Sequence, residues 1–374
     1  MGRGVSMRYC LDARTATDHF PGIGRYVSNL ARAMVEQLRG GEQLLVIRTP
    51  AQTRWELPPP RPGKVFWLDS SVSPFGVSQQ VAIPRLLRMN GVRVYHSPYY
   101  LMPYFPGVPT VVTLYDLIPQ LFPQVVSARA RALFRITTQL ALGAAKQVVT
   151  ISEASRRDLL AAYGLDSARV TAIPLAPDPV MRPQTGAEIA RVREKFGLPE
   201  RFGLYLGINK PHKNLGRLLE AWERVQTDAP LVIAGAWDAR YPEAKAKAAG
   251  LDARVKFLGP ISNEDQPGLY AAATVFVFPS LYEGFGLPVI EAMACGTAVV
   301  CANTSSLPEA AGAAAVLFNP LRVDEMTGAL AQVLNDEGLR AHLQEKGLAQ
   351  AQRFTWTRVA EETLSVYRAL LYKT

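Results

Sequence analysis

Short apolar runs rich in β-branched and aromatic residues alternate along the chain with stretches whose apolar residues recur at helical spacing. This alternation predicts an α/β protein in which parallel sheets are covered by helices on both faces. The pattern occurs twice. In the first half the predicted strands are 8–11, 44–47, 65–68, 92–96, 110–114, 147–151 and 170–173. In the second half they are 202–206, 231–234, 255–258, 274–278 and 298–301.

Helical spacing predicts four helices in the first half, near 24–37, 77–89, 128–142 and 153–163, and three helical stretches at the end of the second. Between the halves the chain is rich in proline, at Pro174, Pro177, Pro179 and Pro183. Because proline continues neither a helix nor a central strand, this segment indicates a linker. We therefore predict a first domain over 1–184, a second over 185–356 and a final helix within 357–374.

The segment PSLYEGFGLPVIEAMACG, residues 279–296, places Glu283 and Glu291 with seven residues between them across a glycine-bearing turn. An apolar run precedes it and a proline suited to the first turn of a helix follows, so the turn lies outside the carboxyl end of a strand, where α/β sheets bind ligands. Gly284 and Gly286 let backbone N–H groups approach a polar ligand, and Glu291 offers an acceptor to paired ribose hydroxyls. The alternative is an ordinary strand–turn–helix with solvated glutamates.

A second candidate lies in GINKPHKNLGRLLEAW, where a strand ends at Gly207 and a helix should begin near Lys213 and Asn214. An ammonium beside the unpaired N–H groups of a helix start suits a diphosphate, whereas the alternative is an ordinary surface lysine. In the first half, Gly22 and Gly24 lie between a strand and a helix.

Two further strand ends in the first half carry candidate polar groups. His96 lies at one strand tip and Tyr115 and Asp116 at the next. The less favoured alternative for His96 is a satisfied structural histidine.

These motifs closely resemble those of the family-4 retaining glycosyltransferases, which have the GT-B fold. The residues that carry the likeness most strongly are Pro279, Ser280, Glu283, Gly284, Phe285, Gly286, Leu287, Pro288, Glu291, Ala292, Cys295 and Gly296. The resemblance covers most of the chain. It implies two Rossmann-like, doubly wound parallel-sheet domains that face each other across a cleft, with the last helix, 357–371, crossing back onto the first domain.

The resemblance also assigns roles. It implies that Glu283 lies by the donor sugar, that the backbone of Phe285, Gly286 and Leu287 contacts the sugar hydroxyls, and that Glu291 binds ribose. It further implies that two loops hold the nucleotide diphosphate, namely the loop with Gly207, Lys213 and Asn214 and the loop with Gly22 and Gly24.

Two positions depart from the family pattern. His212 stands where relatives usually have arginine, and an unperturbed histidine is mostly uncharged at neutral pH, so phosphate binding there is expected to be weaker or pH-dependent. Tyr115 stands where relatives usually have a histidine near the donor sugar. With an ordinary pKa of about 10, tyrosine can donate a hydrogen bond but cannot shuttle a proton near pH 7.

Composition adds a charge asymmetry. Residues 1–184 carry 21 basic and 11 acidic residues, a net charge of +10, whereas residues 185–374 carry a net charge of −1. Arg129, Arg131, Arg135 and Lys146 are interleaved with apolar residues, and the loop 99–106 is aromatic and apolar. The first domain could therefore touch an anionic membrane that carries a lipid-linked acceptor, or the basic face could simply be solvated. No recognised nucleic-acid motif is present, so no nucleic-acid partner is expected.

The sequence contains neither a long apolar span nor a signal-peptide core, which predicts a cytoplasmic protein, with peripheral attachment to the inner face of the membrane as an open alternative. Its three cysteines suggest small buried hydrophobes rather than disulfides or a zinc site. No Asp-x-Asp pair occurs and the four histidines do not cluster with carboxylates, so we expect no metal and no cofactor beyond the donor.

We therefore expect a metal-independent retaining hexosyltransferase that takes its sugar from a nucleotide sugar and passes it to a glycan or lipid-linked acceptor. GDP-mannose is the first choice of donor, because the motifs look most like the mannosyltransferase-type members of bacterial polysaccharide pathways. A UDP-sugar is the alternative donor, and a catalytically silent nucleotide-sugar-binding protein is the alternative class. Glu283, Asp116 and His96 are the candidate catalytic residues.

Overall fold

The computed structural model describes residues 7–50, 55–251 and 254–372 of the chain. These described residues divide into two compact units, one lying within 1–121, 126–175 and 355–374, the other within 122–125 and 176–354. The long N-terminal stretch of the first unit thus ends at Leu175, nine residues before the predicted boundary at 184, because the chain from Ala176 to Phe354 packs with the second unit. Each unit is a parallel sheet with flanking helices, which confirms the predicted α/β class.

In the described part of the first unit, seven parallel strands are ordered β3-β2-β1-β4-β5-β6-β7. The strands are β1 Met7–Asp12, β2 Glu42–Arg48, β3 Val65–Asp69, β4 Val94–Ser97, β5 Thr110–Thr113, β6 Gln147–Thr150 and β7 Val170–Ala172. The helices are α1 Pro21–Gln37, α2 Gln79–Met89, α3 Ile118–Leu121, α4 Ala128–Ala144 and α5 Glu153–Tyr163. All seven strands predicted for this half are confirmed.

The second unit, over its described residues, has six parallel strands in the order β10-β9-β8-β11-β12-β13. The strands are β8 Gly203–Leu206, β9 Leu231–Ala234, β10 Val255–Gly259, β11 Val275–Phe278, β12 Val299–Ala302 and β13 Ala315–Phe318. The helices are α6 Gly186–Phe196, α7 Leu215–Arg224, α8 Glu243–Ala248, α9 Gln266–Ala272, α10 Leu287–Ala294, α11 Leu307–Ala311, α12 Val323–Asn335 and α13 Glu337–Ala351. This is the strand order of a dinucleotide-binding Rossmann sheet.

The prediction missed β13, the edge strand of the second sheet. Its four residues follow an alanine- and glycine-rich stretch, and only Phe318 is buried, so neither alternation nor a continuous apolar run distinguishes it from a loop. The five strands that were predicted for this half are confirmed.

The last helix, α14 (Trp356–Tyr372), belongs to the first unit. Its Tyr367 is fully buried against Tyr9, with ring centroids 5.3 Å apart. Arg368 forms an ion pair with Glu42 of β2 at 2.7 Å. Burial alone would raise the pKa of Glu42, but hydrogen bonds from Arg368, Arg39 and Tyr9 outweigh it and lower that pKa to about 2. The end of the chain is therefore fixed to the first sheet by both packing and charge.

Candidate functional site

The candidate donor site lies where the strand order of the second sheet reverses. β8 and β11 are neighbours in the sheet, although two strands separate them in sequence. Crossover connections leave such a pair in opposite directions, so a crevice opens outside their carboxyl ends. The loop after β8 carries Lys213 and the loop after β11 carries Glu283. The structure therefore brings together the two motifs that the sequence singled out.

Lys213 and Glu283 form an ion pair, with Lys213 Nζ 2.6 Å from Glu283 Oε1. The two side chains are only 15% and 11% exposed. The ammonium also lies 5.2 Å from the centroid of the Phe278 ring, at the end of β11. Partial removal from water strengthens the attraction between the two charges, so the pair holds the two loops together at the crevice.

Hydroxyl groups from the loop after β12 fix the backbone of Glu283. Its N–H donates to Ser305 Oγ at 2.9 Å, and its carbonyl accepts from Ser306 Oγ at 2.9 Å. Thr304 Oγ1 donates to the carbonyl of Leu281 at 2.7 Å. Sequence reasoning missed this Thr-Ser-Ser triplet, although its position directly after a strand, at the same edge of the sheet, was a usable signal.

Asn214 positions Lys213. It adopts a left-handed conformation, with φ of 59°, between the 3-10 helix Pro211–Lys213 and α7. Its side chain is 5% exposed, and Nδ2 donates to the carbonyls of Pro279 and Pro320 at 3.1 and 2.8 Å. The amide is thus engaged within the protein, where it joins three segments of the second unit rather than pointing a free group at a ligand.

The glycine turn before α10 leaves backbone rather than side chain at the crevice. Gly286 has φ of 112°, and a Cβ there would lie 2.9 Å from Leu307 Cδ2, so a side chain is excluded on both counts. Phe285 is buried and packs edge-to-face on Phe354, with centroids 5.5 Å apart. Leu287 begins α10 and its N–H has no partner within the helix, whereas Pro288 has no N–H and the Val289 N–H donates to the Gly286 carbonyl at 3.0 Å. The sequence-predicted residues Gly284 to Leu287 can therefore offer backbone donors.

On the other side of α10, Glu291 is 3% exposed and packs against α9. Its Oε2 accepts hydrogen bonds from Gln266 Nε2 at 3.1 Å and from the Tyr270 hydroxyl at 3.2 Å. Burial, together with the nearby Glu291 carboxylate, raises the pKa of Tyr270 well above its usual value. The sequence did not identify these two α9 partners, because nothing in an amphipathic helix marks which residue will face a buried carboxylate.

His212 is 3% exposed, and within the described residues its Nδ1 is buried without a hydrogen-bond partner. Burial, with smaller contributions from the charges of Lys213 and Lys210, lowers the pKa of His212 to about 3. The imidazole is therefore neutral throughout the neutral range. The expectation of a weaker phosphate contact in place of arginine remains, but in the free protein His212 does not supply a pH dependence near neutrality.

In the loop after β8, the backbone of Gly207 packs against the backbone of Gly235, which follows β9. A Cβ on Gly235 would lie 2.4 Å from the carbonyl oxygen of Gly207, so the two backbones touch. In the first unit, Gly22 and Gly24 lie in the first turn of α1, and a Cβ on Gly24 would overlap the Trp55 ring at 2.3 Å. Gly207 thus follows β8, and Gly22 and Gly24 follow β1. In its own sheet, each of these two strands is one of the neighbouring pair at which the strand order reverses.

His96 lies in the interior of the first unit. It is fully buried, and its ring nitrogens are hydrogen-bonded to the Tyr367 hydroxyl at 2.6 Å and to Thr113 Oγ1 at 2.7 Å. Burial lowers its pKa to about 3, only weakly opposed by Asp12. His96 is therefore a satisfied structural histidine in this structure, and its buried ring is not accessible to an acceptor. Asp116 is half-buried, and its Oδ1 accepts from the N–H of Ile118 at 2.9 Å.

Among the residues that the structure describes, no group of three or more His, Cys, Asp or Glu side chains is arranged to hold a metal ion. Within the same residues, no helix is both long and apolar enough to span a bilayer.

Comparison with known proteins shows that family models of glycosyltransferases match both halves of the chain. A model described as "Glycosyl transferases group 1" matches residues 188–350, and one described as "Glycosyltransferase Family 4" matches 21–179. O-antigen chain mannosyltransferase B of Escherichia coli is 32% identical over 288 residues, covering 74% of each chain. The serotype-specific mannosyltransferase WbdA of Escherichia coli is 34% identical over 191 residues, 49% of this chain and 23% of that one.

Among solved structures, HepE from Anabaena, in complex with UDP and glucose, superposes with a TM-score of 0.75 at 20% identity, covering 97% of this chain and all of that chain. At that identity the likeness concerns the fold.

We predict that the buried His212 makes the free energy of unfolding decrease as pH falls below about 6.5. Its pKa in the folded protein is below that of the unfolded chain, so its contribution to the free energy of unfolding is fully present above pH about 6.5 and is lost as pH falls toward 3. Between pH 7.5 and 4.5 this accounts for up to about 3 kcal/mol. In urea unfolding at both pH values, the decrease in His212→Gln should be smaller than the decrease in wild type by this amount, because His96, whose pKa burial also lowers to about 3, contributes equally to both proteins. The exposed His342 is the control, and a His212→Gln variant with the wild-type decrease would refute the assignment.

Proposed function

The chain belongs to family 4 of the glycosyltransferases, and we propose that it transfers mannose from GDP-mannose to a glycan acceptor, with retention of the anomeric configuration and without a metal ion. The observation that carries the proposal is the Lys213–Glu283 ion pair at the crevice of the second unit. The mannosyl donor is supported by the names of the relatives, which describe mannosyltransferases, and by the resemblance of the motifs.

In this proposal, Lys213 and the N–H groups at the start of α10 bind the diphosphate. Negative charge accumulates on the diphosphate as the bond to the sugar breaks, so preorganised positive groups there stabilise the transition state more than the ground state. A metal ion is not needed for this role when an ammonium and a helix N-terminus supply it. Glu291, held by Gln266 and Tyr270, would accept hydrogen bonds from the ribose hydroxyls.

Glu283 would contact the sugar. Its carboxylate pairs with Lys213 before the donor arrives, so the ammonium that meets the diphosphate is already oriented toward the position of the sugar. Retention requires attack from the face that the leaving group departs from, or a covalent intermediate, and we propose the former and name no nucleophile. Asp116 remains the proposed group that polarises the acceptor hydroxyl.

We further propose that the acceptor is carried on a membrane and that the first unit binds that membrane peripherally. On α4 the side chains of Leu133, Ile136 and Leu140 are exposed and lie on one helical face, together with the exposed Arg129. Phe105 is 86% exposed and borders an apolar groove of about 570 Å³ that Leu140 also lines. Apolar side chains flanked by arginines are typical of a surface that lies on anionic lipid.

The donor and the stereochemistry are tested together. With GDP-mannose and an α-mannoside acceptor, we expect an α-linked product by NMR and full activity in EDTA. UDP-glucose and UDP-galactose should give little product. An inverted anomeric centre would contradict the mechanism, as would activity that EDTA abolishes and Mg²⁺ or Mn²⁺ restores. Efficient transfer from a UDP-sugar and not from GDP-mannose would contradict the proposed donor and identify a UDP-sugar in its place.

The nucleotide site is tested by calorimetric titration with GDP. Lys213→Ala and Glu291→Ala each remove a charged hydrogen-bonding group, for which we expect affinity about 10- to 150-fold weaker. Lys346 and Glu345 are adjacent exposed residues on α13, so their alanine variants make the same charge changes away from the crevice and should bind GDP as wild type does. Unchanged GDP affinity in both site variants would reject the assignment.

Membrane binding is tested by co-sedimentation with phosphatidylglycerol vesicles. Three arginines near the surface contribute about 3 kcal/mol, so we expect partial binding at low salt that high salt abolishes. Replacing Arg129, Arg131 and Arg135 by glutamate should leave the protein in the supernatant. The same charge change at the exposed Arg224, Arg322 and Lys346 of the second unit is the control. Wild type that does not sediment at low salt would mean that the basic face is only solvated.

A further inference from the structure

The first unit carries an aromatic surface that none of the proposed donor residues uses. It consists of Phe20, Phe75 and Tyr99, whose rings form one continuous cluster. The ring centroid of Phe20 lies 5.8 Å from that of Phe75 and 5.4 Å from that of Tyr99. Phe75 is 52% exposed, and the other two are partly exposed. Large aromatic side chains kept this accessible are unusual unless they meet a ligand or a partner.

The aromatic surface lies where the strand order of the first sheet reverses. Phe20 follows β1, Phe75 follows β3, and Tyr99 follows β4, so all three come from loops at the carboxyl edge of the sheet. β1 and β4 are the neighbours at which the order reverses. This is the position in the first sheet that corresponds to the Lys213–Glu283 crevice in the second, and it is where parallel α/β sheets bind ligands.

A buried ion pair fixes the loop of Phe75. Arg14 is 1% exposed and pairs with Asp12 at 2.6 Å. The same guanidinium donates through Nη1 to the carbonyl of Val72 at 3.1 Å, and Gln79 Nε2 donates to the carbonyl of Pro74 at 2.5 Å. The loop that presents Phe75 is therefore held by two side chains from the interior. A surface held in this way loses little conformational freedom when it binds.

A polar group without a partner accompanies the rings. Within the described residues, the hydroxyl of Tyr115 is buried and makes no hydrogen bond. Burial raises the pKa of Tyr115 well above its usual value, with further contributions from Tyr26 and Tyr99, so the hydroxyl stays protonated and can donate. The neighbouring Asp116 carboxylate is close enough to Tyr100 to raise the pKa of that tyrosine, after burial itself.

A sugar ring fits the aromatic rings and the Asp116 carboxylate. One face carries C–H groups with partial positive charge, which the negative face of an aromatic ring attracts, and its rim carries hydroxyls that can donate to Asp116. An anionic lipid headgroup fits less well, because it would meet the Asp116 carboxylate. We propose that the aromatic surface of Phe20, Phe75 and Tyr99 binds a sugar ring of a neutral acceptor glycan by stacking. The identity of the ligand rests on the proposed function.

Saturation-transfer NMR and titration with α-mannobiose and α-mannotriose test the proposal without requiring turnover. Phe75→Ala should bind mannotriose about 5- to 10-fold more weakly than wild type. Phe75→Tyr keeps the ring and should bind as wild type does. Phe66→Ala, which removes a partly exposed ring outside the aromatic surface, should leave mannotriose binding unchanged. Phe75 is half-exposed, so its variants should retain the wild-type unfolding midpoint.

Titration of the same samples with GDP separates this proposal from the donor assignment. GDP affinity should be equal in wild type and Phe75→Ala, because Phe75 lies in the loop after β3, whereas Gly22 and Gly24 follow β1 and the other proposed nucleotide-binding residues lie in the second unit. Absence of mannotriose binding in wild type, or equal binding by Phe75→Ala, overturns the aromatic subsite whatever GDP does. Loss of vesicle binding in Phe75→Ala with unchanged mannotriose binding would assign the surface to lipid instead.

Discussion

The pairing of Lys213 with Glu283 is the interaction on which the proposed donor site depends. Lys213 lies in the loop after β8 and Glu283 in the loop after β11, and these two strands are parallel neighbours in the second sheet. Removing one partner of a well-buried pair costs about 3–5 kcal/mol, and the residual exposure here reduces that figure. The serines that hold Glu283 and the amide of Asn214 make the pair a fixed element rather than two mobile surface charges.

The same topological constraint explains the first unit. In both sheets the order reverses after the first strand, and the loops at that edge hold the accessible chemistry: an ion pair and backbone donors in the second unit, aromatic rings and Asp116 in the first. Each edge is supported by a buried polar network, that of Asp12 and Arg14 in one and that of Glu291 and Tyr270 in the other. Charge therefore collects where the proposed donor binds, and flat apolar area where the proposed acceptor binds.

Sequence reasoning located the loops of Lys213 and Glu283 because strand ends and glycine turns leave local signals. It could not assign His96, since its position at a strand tip does not reveal that Tyr367, 271 residues later, covers the ring. The partners Ser305 and Tyr270 were missed for the same reason, as their contacts exist only once distant segments pack. The shifted pKa of His212 likewise depends on burial, which the adjacent lysines alone do not predict.

The most direct test of the account is a calorimetric titration of Glu283→Gln with GDP. If Glu283 neutralises the ammonium that receives the diphosphate, the neutral amide should free Lys213 and remove a like charge, so GDP affinity should rise about tenfold. Transfer of mannose from GDP-mannose by this variant should fall, because the carboxylate beside the sugar is lost. Glu345→Gln should behave as wild type. Unchanged or weaker GDP binding by Glu283→Gln, with transfer intact, would contradict the role assigned to the ion pair.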